Sequence, residues 1–190
     1  IIKEIIDNTS TERDRGTAFE EVVKAYLQNE PAYKHLYDKV WMLGEVPDEY
    51  HIPKKDTGVD LVARKCGTNE LTAVQAKFYR GRVAKDDVNS FIAECSKNYY
   101  TDGLLITTTD QWGQNAENAL NKLSKPITRI GLSQLENANI DWQLFKFNSD
   151  NQNIQKKSSK KLRDYQKTAV DKAVSYYKKN NRGKLIMAPG

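Results

Sequence analysis

"DTGVDLVARKCGTNELTAVQAKFYR", residues 56–80, runs as two alternating apolar and polar arms about Gly67-Thr68, the pattern of a β-hairpin. On its second arm Leu71, Ala73, Gln75, Lys77 and Tyr79 share one face, and Thr72, Val74, Ala76 and Phe78 share the other. With Gly67 and Thr68 as the turn residues, Cys66 pairs with Asn69, and counting back sets Asp60 across from Gln75 on the same face. A carboxylate, an amide and a lysine thus converge on strands whose other residues are suited to burial.

Such a trio suits a divalent ion held against a phosphodiester. Hard oxygens from Asp60 and Gln75 would bind Mg²⁺ at about 2.0–2.1 Å and leave its other positions to water and substrate. The metal would polarise a phosphoryl oxygen and acidify a bound water. Lys77 would orient that water, or help deprotonate it, and stabilise the charge that builds on the phosphoryl group. The same residues equally suit a cross-strand salt bridge between Asp60 and Lys77 with Gln75 as a neutral neighbour, because D-x(14)-Q-x-K is a loose pattern.

Upstream, "STERDRGTAFEEVVKAYLQNEP" has helical spacing in Phe19, Val22, Val23, Tyr26 and Leu27. At 100° per residue Glu20 borders that apolar stripe, placed to add an oxygen ligand or to hold a metal-bound water. "KVWMLGEV" reads as a strand before the hairpin. Downstream follow a helix in "KDDVNSFIAECSKNYYTDG", a buried strand in "GLLITTT", a helix in "QNAENALNKLSKP" and a strand or strand-turn in "ITRIGLSQL". This order predicts an α/β fold, a mixed sheet with helices on both faces.

The chain has 190 residues and 38% hydrophobic content, enough for one medium domain and part of another. No apolar run reaches the eighteen or so residues of a membrane helix, and "IIKEIIDNTS" lacks the layout of a secretion signal. Cys66 and Cys95 lie far apart and the only histidines are His35 and His51, which argues against a disulfide framework or structural zinc and for a cytoplasmic protein. The opening at Ile1 suggests a fragment.

The net charge of +5 is unevenly spread: residues 1–150 hold 19 Lys and Arg against 23 Asp and Glu, and residues 151–190 hold 11 against 2. Within 54–85, eight basic side chains stand against three acidic ones. Lys54, Lys55, Arg80, Arg82 and Lys85 are the candidates for contact with DNA phosphates; a solvated, aggregation-resistant strand edge explains the same run. Trp41, Trp112 and Trp142 read as core-edge aromatics away from the basic stretch, and Thr107, Thr108 and Thr109 as helix caps or phosphate contacts. The composition sets three segments: a domain over 1–147, a basic linker over 148–161, and the start of another domain over 162–190.

The motifs G-x-A-F-E (Gly16 to Glu20), D-x-G-V-D (Asp56 to Asp60), V-Q-A-K (Val74 to Lys77) and "LLITTT" together resemble the Mrr-like branch of the PD-(D/E)xK restriction endonuclease superfamily. The resemblance implies an αβββαβ core and metal-dependent hydrolysis of double-stranded DNA. It makes Asp60 and Gln75 the metal ligands, Lys77 the catalytic lysine and Glu20 the helix-borne acid, with Mg²⁺ as the metal and Mn²⁺ as a substitute. Glutamine at the second ligand position is typical of that branch, where the wider superfamily has an acid.

The tail adds a second resemblance. "LRDYQKTAV" resembles the Q motif of superfamily 2 helicases, with Gln166 implied at the adenine edge and Tyr165 packing nearby, and "KLIMAPG", ending at Gly190, looks like the first half of a Walker A loop. The remaining loop positions are missing, so ATP would act only in the full-length protein. A nuclease linked to such a motor most resembles the N-terminal part of a bacterial type ISP restriction-modification enzyme. That implies ATPase, methyltransferase and target-recognition domains on the same polypeptide and a second enzyme copy during cleavage. Two other readings compete: a catalytically silent DNA-binding or coupling module, and a tail that binds a protein partner.

Overall fold

The computed structural model describes residues 1–55, 58–79, 81–121, 123–156 and 163–184. The chain forms two compact units, Ile1–Gln155 and Lys156–Gly190. The first runs α1 (Ile2–Asn8), α2 (Glu12–Asn29), α3 (Pro31–Lys34), β1 (Tyr37–Met42), β2 (Leu61–Lys65), β3 (Leu71–Lys77), α4 (Lys85–Cys95), β4 (Asp102–Thr107), α5 (Gln114–Leu120), β5 (Ile127–Ile130) and α6 (Leu132–Glu136). The strands lie in the order β1-β2-β3-β4-β5, with β2 antiparallel to both of its neighbours and the last three strands parallel. This is the mixed, helix-flanked α/β sheet expected from the sequence.

Alternation along the strands sorts the core into two layers. Phe19, Val22, Val23, Tyr26 and Leu27 of α2 pack with Leu61, Ala63, Val74, Ala76, Leu104 and Ile106 on one face. On the other, Val88, Phe91 and Cys95 of α4 and Ala116 of α5 pack with Val62, Leu71, Ala73 and Leu105. Helix α2 starts at a capping box in which the Thr11 hydroxyl accepts the Asp14 N–H at 3.1 Å and Asp14 accepts the Thr11 N–H at 3.2 Å. Gly103 opens β4 under α4, where any side chain would collide with Cys95 Sγ and the Phe91 ring.

The β2–β3 register is Leu61↔Val74 through Arg64↔Leu71, the pairing counted from the sequence. Its turn differs in detail. Positive φ falls at Gly67 (78°) and Asn69 (60°), and the Thr68 hydroxyl accepts the Glu70 N–H at 3.3 Å. Asparagine tolerates the left-handed region where threonine, branched at Cβ, does not.

Residues 148–155, read from composition as the start of a linker, pack within the first unit. Asn29, fully buried near the end of α2, donates to the carbonyls of Ala25 and Asn151 at 2.8 Å each and accepts the Ile154 N–H at 3.1 Å. Asn151 is buried as well, and Ile154 joins the α2-side core. Polar composition suggested a linker because these asparagines are buried through hydrogen bonds rather than apolar contact. Residues 157–161 of that stretch lie outside the described residues.

The second unit contains α7 (Asp164–Tyr177), which buries none of its residues and exposes Tyr165, Val170, Val174, Tyr176 and Tyr177. Among the described residues no helix is long and apolar enough to cross a membrane.

Two measurements check this packing. Asn29→Ala removes three bonds from a dry site and is expected to destabilise the chain by about 2–4 kcal/mol in urea unfolding. Burial pushes the Cys95 thiol up to about 11, whereas Cys66 is exposed. Ellman's reagent at pH 8 is therefore expected to titrate one thiol rapidly in the folded chain and both after denaturation.

Candidate active site

Asp60 precedes β2, and its two polar ends bracket Gln75. Its N–H donates to the Val74 carbonyl at 2.9 Å, and its Oδ2 accepts the Ala76 N–H at 2.8 Å. Leu71 and Ala73 belong to the layer under α4 and α5, so alternation along β3 sets Gln75 and Lys77 on that face. Asp60 precedes the regular ladder, its N–H meeting Val74 while its carbonyl accepts the Leu43 N–H, and it is placed by its bond to the Ala76 N–H. Gln75 and Lys77 therefore share one face, and Asp60 joins them at the same end of the sheet.

Gln75 is 3% exposed, and its Oε1 has no hydrogen-bond partner among the described residues. An unpartnered amide oxygen in a buried site is unfavourable by about 1–3 kcal/mol unless a water or an ion supplies the missing contact. Lys77 is half-buried at the last β3 position, and among the described residues no salt bridge joins it to Asp60. No group of three or more His, Cys, Asp and Glu side chains is assembled among the described residues. A centre at this position therefore depends on the amide of Gln75 as an oxygen donor, and Asp60 and Gln75 fit a hard divalent cation as a charged and a neutral oxygen.

Glu20 is half-buried on α2, which covers the opposite face of the sheet. Its neighbour Phe19 packs edge-on against Phe78, ring centroids 6.1 Å apart, so α2 crosses β3 beside the residue that follows Lys77. Glu20 is thus brought to the same end of the sheet from the other side.

The basic residues divide into two groups. Arg64 donates to Asp38 at 2.9 and 2.8 Å and to the Tyr50 hydroxyl at 3.0 Å, and its guanidinium lies 5.7 Å from the Trp41 ring centre. Those bonds hold the Asp38 carboxyl below the usual carboxylate range. Lys65 pairs with Asp102 at 2.9 Å and Glu70 at 3.2 Å. Both are tied to structural partners at the far end of β2. Of the proposed phosphate contacts, Lys54 pairs with Asp48 at 2.7 Å, while Lys55, Arg82 and Lys85 are exposed; Arg80 lies outside the described residues.

Trp41 and Trp112 do not lie away from the basic stretch. Trp41 sits beneath Arg64, and Trp112 pairs with Val83, which follows Arg82. Long-range pairing brought them there, and local spacing carries no trace of it. Nor do the threonines cap the next helix: the N-cap of α5 is Gly113. Thr107 donates to the Thr109 carbonyl at 2.8 Å, and Thr108 bonds to the Tyr79 backbone. In the second unit Tyr165 is exposed in the first turn of α7, and Gln166 accepts the Arg163 N–H at 3.0 Å as part of the helix cap. Gly190 lies outside the described residues.

A family model described as restriction endonuclease, of the Mrr catalytic type, matches residues 28–153. The chain belongs to the restriction endonuclease family. Among solved structures it is similar to the ATP-dependent type ISP restriction-modification enzyme LlaBIII bound to DNA, with 46% identity, a TM-score of 0.76 and coverage of 100% of this chain and 12% of that one. It therefore spans about one-eighth of that enzyme's length. The MspJI restriction endonuclease in complex with a 27-mer oligonucleotide matches 70% of this chain and 29% of its own at 16% identity and a TM-score of 0.49. No curated protein matches the chain. Asp60, Gln75 and Lys77 fall inside the family match, and Glu20 lies ahead of it.

The unpartnered amide yields a measurable consequence. Gln75→Met, close in volume and without the buried oxygen, is expected to stabilise the metal-free chain by about 1–2 kcal/mol in urea unfolding. It should also abolish any rise in melting temperature that Mn²⁺ gives the wild-type chain.

Proposed function

We propose that this chain is the Mg²⁺-dependent DNA endonuclease part of a motor-linked restriction-modification enzyme. What carries the reading is the buried, unpartnered oxygen of Gln75, bracketed by Asp60 and facing the same side as Lys77. Asp60 and Gln75 would hold the divalent ion, for which Mn²⁺ can substitute. When bound, that ion supplies polarisation of the scissile phosphoryl oxygen and an acidified water.

The chain's own groups do the rest. Asp60, fixed against β3 by the Ala76 N–H, presents its carboxylate without having to reorganise. Lys77 orients the attacking water, takes part in its deprotonation and stabilises negative charge on the phosphoryl group as the bond to the leaving oxygen breaks. Glu20 holds a water or adds an oxygen from the α2 side. Lys55, Arg82 and Lys85, with Lys54 and Arg80, contact phosphates of duplex DNA and carry no sequence preference. DNA as the substrate is supported by the relative solved in complex with it.

The motor linkage is supported by the same relative, which is ATP-dependent and far longer than this chain. In this reading residues 162–190 open an ATPase domain, with Tyr165 and Gln166 at its nucleotide edge, and target recognition and methylation belong to other domains of the polypeptide. Separate recognition removes any need for the nuclease to read bases.

Supercoiled plasmid incubated with the chain at high concentration tests the site. Nicking is expected with Mg²⁺ or Mn²⁺ and not with EDTA, and Asp60→Ala and Lys77→Ala are each expected to lower the rate by at least about 100-fold. Raising salt from 50 to 200 mM should weaken binding by at least about tenfold through loss of phosphate contacts. Nicking that survives Asp60→Ala would reject the site. Metal-independent binding with no cleavage by the wild-type chain would favour a silent DNA-binding module.

A further inference from the structure

We propose that Thr108 is a positioning residue for Lys77, a role that rests on the nuclease reading of the site. The β3–β4 ladder ends at the pair Lys77↔Thr107. Beyond it Thr108 adds bonds that the strands do not make. Its N–H donates to the Lys77 carbonyl at 3.3 Å, and its hydroxyl accepts the Tyr79 N–H at 2.7 Å while donating to the Tyr79 carbonyl at 2.8 Å. One side chain thereby engages both backbone groups of a residue two positions past the lysine. Thr108 is 6% exposed, so these bonds form away from bulk water.

Lys77 would otherwise sit on the last rung of a strand, where backbone pairing frays. With the clamp in place, its main chain lies between a ladder partner on one side and a hydrogen-bonded closure on the other. Phe78, between them, is packed against Phe19. The flanking side chains and the Thr108 hydroxyl thus hold the same three residues from α2 and from β4.

The alternative task for this threonine, direct contact with a substrate phosphate, conflicts with its hydrogen bonding. A hydroxyl has one hydrogen, and that of Thr108 is donated to the Tyr79 carbonyl. A phosphate oxygen needs a donor, and none remains. The hydroxyl acts on the reaction through the backbone of 77–79, and a displacement of about 1 Å at a catalytic group lowers rate by about 100-fold.

The test uses the 190-residue chain, Thr108→Val, Thr108→Ser and Asn29→Ala, the last as a destabilised control distant from this strand end. Amide exchange of residues 77–79 and the nicking rate at saturating chain concentration with Mg²⁺ are measured together. Thr108→Val is expected to lose protection at Tyr79 and to nick about 10–100-fold more slowly, with DNA affinity within about twofold of wild type; Thr108→Ser should keep both within about threefold. The positioning role is overturned if Thr108→Val nicks at the wild-type rate, or loses no more activity than Asn29→Ala at an equal fall in melting temperature. Should the wild-type chain fail to nick at all, the nuclease reading fails, and unchanged Tyr79 exchange in Thr108→Val independently overturns the clamp.

Discussion

The bond from the Ala76 N–H to Asp60 Oδ2 organises this end of the molecule. Strand β2 begins at Leu61, so the N–H of Ala76 has no strand backbone left to meet on that side. A side chain takes over that position in the ladder. An aspartate is short enough to reach from the residue just before the strand, and in doing so its carboxylate is carried to the flank of Gln75. The same contact that closes the sheet edge therefore sets the charge and the amide side by side, and neither can move without disturbing β3, six of whose seven residues are buried.

Strand direction explains why the other functional candidates gather there. Because β2 runs antiparallel to β3, its beginning lies at the end of β3, and because β4 and β5 run parallel to β3, their carboxyl ends lie there too. Open α/β sheets bind ligands outside the carboxyl ends of their strands, where loops leave without covering the polar groups. The segment after β3 brings Arg82 and Lys85 to this end, and the isolated pairing of Val83 with Trp112 ties it to the loop after β4. Arg64 and Lys65 lie at the other end of β2, held by Asp38 and by Asp102 with Glu70. The local excess of positive charge thus resolves into a structural pair at one end of β2 and an exposed set that includes Arg82 and Lys85 beside the candidate site.

Much of this was legible in residues 56–80 because a strand has an exact period of two and a glycine-bearing turn pins the register. Leu61, Ala63, Val74 and Ala76 had to face one way, which left Gln75 and Lys77 to face the other, and the register brought Asp60 to the end of the ladder beside them. Helix α2 was legible for a related reason: its stripe is long and begins at a capping threonine. Short elements were not. Helices α1 and α6 hold 7 and 5 residues, too few turns for a period to stand out, and α6 depends on Asp110, a residue far from it in sequence that accepts the Ser133 N–H and hydroxyl. The Asn29–Asn151 contact spans 122 positions and buries polar groups, the opposite of the pattern that marks a core in sequence. The threonine triplet failed for the same reason, since its partner Tyr79 is 29 positions away.

Glutamine in place of an acid has a consequence for the proposed mechanism. Two carboxylates in contact inside a low-dielectric site repel each other, and one of them takes up a proton unless a cation is present. With Gln75 the metal-free pair carries a single negative charge, so the fold bears one desolvated amide oxygen instead of a second buried anion, and the electrostatic penalty before metal binding is smaller. The exchange weakens the pull on the cation by one full charge. It also means that Lys77 faces one carboxylate rather than two, which leaves more of its positive field for the phosphoryl oxygens. In the proposed mechanism such a site would bind its metal less tightly when empty of DNA and gain most when a phosphate, itself an anionic oxygen ligand, completed the coordination shell. Metal and substrate would then bind cooperatively, and the proposed cutting would be confined to the moment when DNA is already seated.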